Sequence, residues 1–215
     1  MKFVMSYSTG KDSVLALDRM TKQGHQAVAL LVMYNTNAQR SWFHGTDAQM
    51  LEAISKSLDI PLLICKSNGE DYNLDFEKTL TLAKEKGASA CVFGDIDIES
   101  HKKWNEERCK NAGLDAILPL WQENRESLVN EVITLGYKCI IKCICDKRIP
   151  IEYLGRVLDE ETIKKFDKYG IDVCGENGEY HTLVLDGPLF KVPIQYKLGE
   201  KASNKDISYI DIKIN

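Results

Sequence analysis

The sequence predicts an α/β nucleotide-type domain over residues 1–118, followed by a smaller α+β domain over residues 119–215. Three observations carry this expectation. A strand, a polar glycine-containing loop, a helix and a second strand fit within residues 2–34, the size of a βαβ unit. The alternation then repeats to residue 118 with continuous apolar strands, the pattern of a parallel sheet covered on both faces. Beyond Pro119 the rhythm weakens, and the tail alternates apolar and polar residues as antiparallel strands do.

Residues 2–7 are a short apolar run that stops at a polar turn, hence a buried strand. Val14, Leu17 and Met20, with Ala16 nearby, have helical spacing, and Gly24 stands where a helix would stop. Residues 26–34 form the second buried strand. Helices are expected over 47–58, 72–86 (ended by Gly87) and 99–112 (ended by Gly113), with strands over 60–65, 89–93 and 114–118. In the second domain a helix over 125–135 precedes a strand over 137–145 and a helix over 159–169. Strands are expected over 190–197 and 207–214.

Composition removes several classes. With 215 residues, 44% hydrophobic and 28% charged, the chain can bury a core without staples and is not disordered. A net charge of −4 and a pI near 5.7 disfavour a broad nucleic-acid surface. No apolar run reaches the ~20 residues that span a bilayer, and residues 1–13 do not read as a signal peptide. Seven scattered cysteines point to free thiols in a reducing cytoplasm. Cys139, Cys143 and Cys145 share one face of an expected strand. Two residues advance about 6.6 Å there, so bonds of about 2.3 Å do not gather Cys139 and Cys143 on one zinc ion. Buried apolar thiols are the better reading. His25 reads as a plain surface residue.

The first chemical site is Ser8-Thr9-Gly10-Lys11-Asp12-Ser13, between the first strand and the first helix. Ligands of open α/β sheets bind at strand carboxyl ends, where helix N-termini favour phosphate. Gly10 permits close backbone approach, Lys11 adds a positive charge, and Ser8 and Ser13 add hydroxyl donors. A carboxylate at Asp12 is repulsive to phosphate unless it holds a metal or orients Lys11. The Walker A and dinucleotide patterns are both missing. A merely structural strand–helix turn, capped by Asp12 or Ser13, is the plain alternative.

Gly94-Asp95 also ends an expected strand, so Asp95 can face the same crevice; a turn or cap is the plain alternative. His101, Lys102 and Lys103 fall in the first turns of the next helix, where cations oppose the helix dipole and an anionic ligand would offset the cost. A solvated basic face explains them equally well. Residues 175–182, Gly-Glu-Asn-Gly-Glu-Tyr-His-Thr, gather two carboxylates, an imidazole and a hydroxyl. Asn177-Gly178 is a hairpin signal, and such a turn can present Glu176 and Glu179 to an amine or as a general base. His44 follows an aromatic pair. Trp42, Phe43 and Trp121 suit a stacking wall, though such residues are more often core.

Residues 8–13 resemble the S-G-G-K-D-S pyrophosphate loop of the ATP pyrophosphatases, with Thr9 in place of the first Gly. Residues 175–190, GENGEYHTLVLDGPLF, resemble the E-G-G-E-[YF]-x-T-LVLDGPLF signature of the diphthine–ammonia ligase family, with Asn177 replacing one Gly. Gly94-Asp95-Ile96, Pro119-Leu120-Trp121 and Ser41-Trp42-Phe43-His44 are further matches. One stretch departs: where family members that make diphthamide carry Y-Q-R-x-R-x-E, this chain has Ser100-His101-Lys102-Lys103-Trp104-Asn105-Glu106. An Arg fork and a Lys point charge are not interchangeable, so the acceptor can differ from diphthine.

The resemblance implies a Rossmann-like parallel sheet with a PP-loop (HUP-type) as ATP-binding domain, plus a smaller substrate-binding domain. It also implies ATP cleaved to AMP and pyrophosphate with Mg²⁺. On that basis ATP is expected on Ser8, Thr9, Gly10, Lys11, Asp12, Ser13, Gly94 and Asp95, and Mg²⁺ at Asp12. Lys11, Asp12, Glu176 and Glu179 are the expected catalytic residues. His44, His101, Lys102, Trp121, Tyr180 and Thr182 are the expected substrate contacts. The expected partners are ammonium and a carboxylate-bearing acceptor, with no membrane and with nucleic acid disfavoured; a homodimer stays open. Two other classes stay open: a PP-loop hydrolase or thiolation-type RNA-modifying enzyme, and a non-catalytic ATP sensor.

Overall fold

Phe3, Val4 and Met5 are fully buried in β1 (Lys2–Ser6), the centre of the first sheet. The computed structural model describes all of residues 1–215. After β1 come α1 (Lys11–Lys22), β2 (Gln26–Asn35), a short β3 (Arg40–Ser41), α2 (Ala48–Leu58), β4 (Leu62–Ser67), α3 (Tyr72–Glu85), β5 (Ala90–Val92), α4 (Glu99–Ala112) and β6 (Asp115–Ile117). Further on lie α5 (Arg125–Thr134), β7 (Cys139–Cys145), a 3-10 turn (Ile151–Tyr153), α6 (Glu160–Lys168), β8 (Tyr180–Val184), β9 (Tyr196–Asn204) and β10 (Ile207–Ile214).

Contacts divide the chain into two compact units. The first holds Met1–Ser8 and Asp12–Glu123; the second holds Thr9–Lys11 and Asn124–Asn215. Residues 119–123 go with the first unit, where Arg19 holds the Pro119 carbonyl at 3.1 Å and pairs with the Glu123 carboxylate. That guanidinium holds Glu123 below the usual carboxylate range.

In the first unit the parallel strands run β4-β2-β1-β5-β6, with β3 antiparallel to the end of β2. The chain winds outward from β1 through β2 and β4, then returns to the other side of β1 to lay down β5 and β6. The carboxyl ends of β1 and β5 therefore flank the switch point, where ligands bind in open α/β sheets. The predicted α/β class holds. Val4, Leu31, Met33, Cys91 and Phe93 from the strands pack with Phe76 and Leu80 of α3 and Cys109 of α4. Gly113 ends α4 at φ 68°, the left-handed conformation expected of its terminal glycine.

The second unit is a four-stranded antiparallel sheet in the order β8-β7-β10-β9. Asn124 caps α5 through the Ser127 N–H, and Asp159 caps α6 through the Thr162 N–H. No helix is long and apolar enough to cross a membrane.

Three expectations need correction here. The strand expected over 190–197 starts only at Tyr196; Pro193 cannot donate to a ladder, and the apolar spacing before Tyr196 reflects Phe190 and Ile194 anchored in the core. Asn177-Gly178 does not join two strands. Gly178 N–H closes a turn on the Gly175 carbonyl at 3.1 Å, and β8 after it pairs with β7 instead. The common face of Cys139 and Cys143 is broken by a bulge between Ile141 and Cys143, which shifts the alternation by one residue. All seven cysteines are free thiols, and Cys65, Cys91, Cys109, Cys139 and Cys174 are buried.

Candidate functional site

In the first unit, the site begins where β1 ends. Ser8 Oγ donates to Ser13 Oγ at 3.2 Å, closing the loop onto the first turn of α1. Gly94 lies against that turn. A Cβ placed on it would stand 2.8 Å from the Asp12 carbonyl carbon and 2.9 Å from the Asp12 oxygen and the Ser13 nitrogen. These are backbone atoms, so Gly94 is required by close approach. We expect Gly94→Ala to lower stability by about 1–3 kcal/mol, the range for overpacking. A reduced denaturant midpoint checks this; an unchanged midpoint would mean that the loop yields freely.

Asp95 is the hub of a small cluster in this unit. Its Oδ1 is 3.1 Å from His101 Nδ1, and its Oδ2 accepts from Asn105 Nδ2 at 2.8 Å. Lys102 stands 4.9 Å above the Trp121 ring. The sequence-named residues Asp95, His101, Lys102 and Trp121 thus find partners among themselves, which answers part of the dipole cost of placing cations at the start of α4. Asn105 is 4% exposed and was not singled out from sequence; its signal was the i, i+4 spacing from His101. His44 lies elsewhere, buried in the turn after β3, where Ser41 Oγ accepts the Thr46 N–H at 2.9 Å. Trp42 is largely packing, edge-on to Tyr72 at 5.5 Å, whereas Phe43 is exposed.

In the second unit, Thr9, Gly10 and Lys11 form the tip of the loop. Thr9 has φ 74° and is fully buried. This is a glycine conformation occupied by a β-branched residue, with strain of order 1–3 kcal/mol. The Thr9 carbonyl accepts the Val184 N–H at 2.9 Å, and Lys11 N–H donates to Thr182 Oγ1 at 3.0 Å. Lys11 Nζ lies 5.7 Å from the Tyr180 ring centroid.

The segment after α6 is held by a residue that sequence reading missed. Asp172 Oδ1 accepts the Cys174 N–H at 3.0 Å, and its Oδ2 accepts the Glu176 N–H at 3.0 Å and pairs with Arg125. Nothing in the local sequence marks Asp172, because its main cation comes from α5. Glu179 is 2% exposed, accepts the Asn177 N–H at 3.1 Å and has Arg148 Nη1 at 3.8 Å. Glu176 is only half-buried. Tyr180 donates its hydroxyl to the Val173 carbonyl, and its ring packs tilted against Phe166 at 5.4 Å.

Burial pushes the Cys65 and Cys143 thiols up, and burial with a hydrogen bond to Cys109 raises Cys91 further.

A model of the diphthamide synthase N-terminal domain matches residues 1–116, and one of the diphthamide synthase C-terminal domain matches residues 124–215. A diphthine–ammonia ligase of Homo sapiens is 30% identical over 220 residues, covering 90% of this chain and 82% of that protein. The chain belongs to the diphthine–ammonia ligase family. Another family member, the diphthine–ammonia ligase of Schizosaccharomyces pombe, is 27% identical over 99% of this chain but only 39% of its own length. A solved structure described as a predicted subunit of tRNA methyltransferase from Methanocaldococcus jannaschii overlays 87% of this chain and 98% of its own, at 15% identity and a TM-score of 0.49. As a member of the diphthine–ammonia ligase family, the chain is an ATP-dependent ligase.

Proposed function

We propose that this ligase joins ammonia to a carboxylate acceptor, splitting ATP into AMP and pyrophosphate. The observation that carries the reading is the loop of residues 8–13 at the end of β1, with Gly94 pressed against the first turn of α1. Ser8, Thr9, Gly10, Lys11 and Ser13 bind the phosphates, and Gly94 and Asp95 complete the nucleotide site. The acceptor carboxylate attacks the α-phosphorus to give an acyl-adenylate with release of pyrophosphate. Ammonia then displaces AMP at the acyl carbon, with Glu176 and Glu179 positioning ammonia and taking its proton. Of the expected acceptor contacts, His101, Lys102, Trp121 and Tyr180 are proposed to face the acceptor; His44, buried in the turn after β3, and Thr182, whose hydroxyl takes the Lys11 N–H, are not.

The donors around Asp12 suit Mg²⁺, which takes oxygen ligands and commonly uses one carboxylate beside substrate phosphates. Asp12 is partly exposed, and Ser8 and Ser13 add hydroxyl oxygens next to it. Bound there, Mg²⁺ would neutralise phosphate charge. Lys11 supplies a second positive charge from the same turn.

The acceptor is a carboxylate on a small molecule or a protein side chain. Lys102 stacked on Trp121, where diphthamide-forming relatives carry an arginine-rich stretch, supports an acceptor other than diphthine. Raised thiols at Cys65, Cys91 and Cys143 weigh against a sulfur-transfer enzyme. Phosphorus NMR of the products tests the proposal. AMP with pyrophosphate is expected; ADP with inorganic phosphate would overturn it.

A further inference from the structure

β8 is the outermost strand of its sheet, so one edge of it carries backbone groups that β7 does not use. That edge holds the tip of the phosphate loop. Val184 N–H donates to the Thr9 carbonyl at 2.9 Å. Two residues earlier, Thr182 Oγ1 accepts the Lys11 N–H at 3.0 Å. Two earlier again, the Tyr180 ring lies 5.7 Å from Lys11 Nζ. Residues 180, 182 and 184 recur at the strand period of two, so one stretch of β8 meets Thr9 and Lys11 together.

The chemistry at Thr182 is specific. Lys11 opens α1, and the N–H groups of a helix's first turn have no partner within the helix. Lys11 and Thr182 are 4% and 2% exposed, so water is a poor substitute for the hydroxyl. An acceptor here sets where the helix starts, and hence where the Lys11 side chain leaves the backbone. It also holds the next residue but one, Thr9, in a conformation that its side chain disfavours.

We infer that Thr182 is a positioning residue for the phosphate loop: by taking the Lys11 N–H, its hydroxyl fixes the loop in the shape that receives the β- and γ-phosphates of ATP. The inference rests on the reading of residues 8–13 as the ATP loop, and it gives Thr182 a task other than the acceptor contact first expected of it. Tyr180 then supports the same lysine from below, and Lys11 meets phosphate through Nζ while its N–H stays with β8.

The test compares the full chain with Thr182→Ser and Thr182→Val. Calorimetric titration with Mg-ATP and with AMP is run beside thermal unfolding of each protein. Thr182→Val is expected to lose at least about tenfold in ATP affinity, whereas its AMP affinity, which needs only one phosphate, stays within about threefold of the parent. Thr182→Ser, which keeps the hydroxyl, should match the parent on both. Three results overturn the inference: a folded Thr182→Val that binds ATP like the parent, a serine variant as weak as the valine one, or equal losses for ATP and AMP that follow the unfolding temperature. Should Thr182→Val not fold, Thr182→Ala against Thr182→Ser is decided by the same criteria. A parent that binds no ATP overturns the loop reading itself and this inference with it; a parent that binds ATP beside an indifferent Thr182→Val overturns only the role of Thr182.

Discussion

Glu179→Gln is expected to cut product formation at least about a hundredfold, the scale of a lost positioned base, while ATP affinity stays within about threefold, or roughly 0.7 kcal/mol. The carboxylate is 2% exposed and lies just before β8, held by the Asn177 N–H and with Arg148 at 3.8 Å. Glutamine keeps the shape and one acceptor oxygen, so the bond from Asn177 can persist. It removes the charge and the capacity to take a proton from an attacking amine. The separation of effects follows from the proposed roles, in which residues 8–13 hold the phosphates and this carboxylate serves the amine. AMP release from ATP and ammonium, in the presence of a cell extract that supplies acceptor, measures turnover, and calorimetry measures ATP binding. Turnover near the parent's level would leave Glu179 as an acceptor for its turn and nothing more. A parallel loss of ATP affinity would place it in nucleotide binding instead.

Lys11→Ala should weaken ATP binding by about 1.5–3 kcal/mol, the range for hydrogen bonds to charged groups, equivalent to roughly ten- to 150-fold in affinity. The side chain is 4% exposed and leaves α1 at its first residue, with its ammonium near the Tyr180 ring. Alanine keeps the backbone N–H that donates to Thr182, so the loop's anchor on β8 is spared and the loss reports the ammonium. Asp12→Asn is the companion variant. It should weaken only the part of ATP binding that depends on Mg²⁺, because an amide retains an oxygen but not the charge. Titrations with and without Mg²⁺ separate the two. If folded Lys11→Ala and Asp12→Asn both bind Mg-ATP like the parent, residues 8–13 are a structural turn.

The sequence by itself determined the α/β alternation of the first unit, since buried parallel strands need continuous apolar runs and their covering helices need a 3.6-residue period. It also singled out the candidate sites: residues 8–13, Gly94-Asp95 and residues 175–182 each combine a turn with polar groups, a local property visible without coordinates. The left-handed turn at Thr9 came from the structure, because threonine seldom adopts that conformation unaided and its identity gives no sign of it. Only the tertiary structure decided the rest. The strand expected over 190–197 failed because Phe190 and Ile194 are spaced by the core they enter, which a periodicity count does not distinguish from a ladder. The bulge at Lys142 undid the shared face of the cysteines, since register belongs to a strand pair and not to one strand. Asp172 was invisible because its cation, Arg125, lies 47 residues away, and the bond from Lys11 N–H to Thr182 was equally so, because it spans 171 residues. Hydrogen bonds of that span are settled by which buried groups need partners once the chain has closed, and no local pattern encodes them.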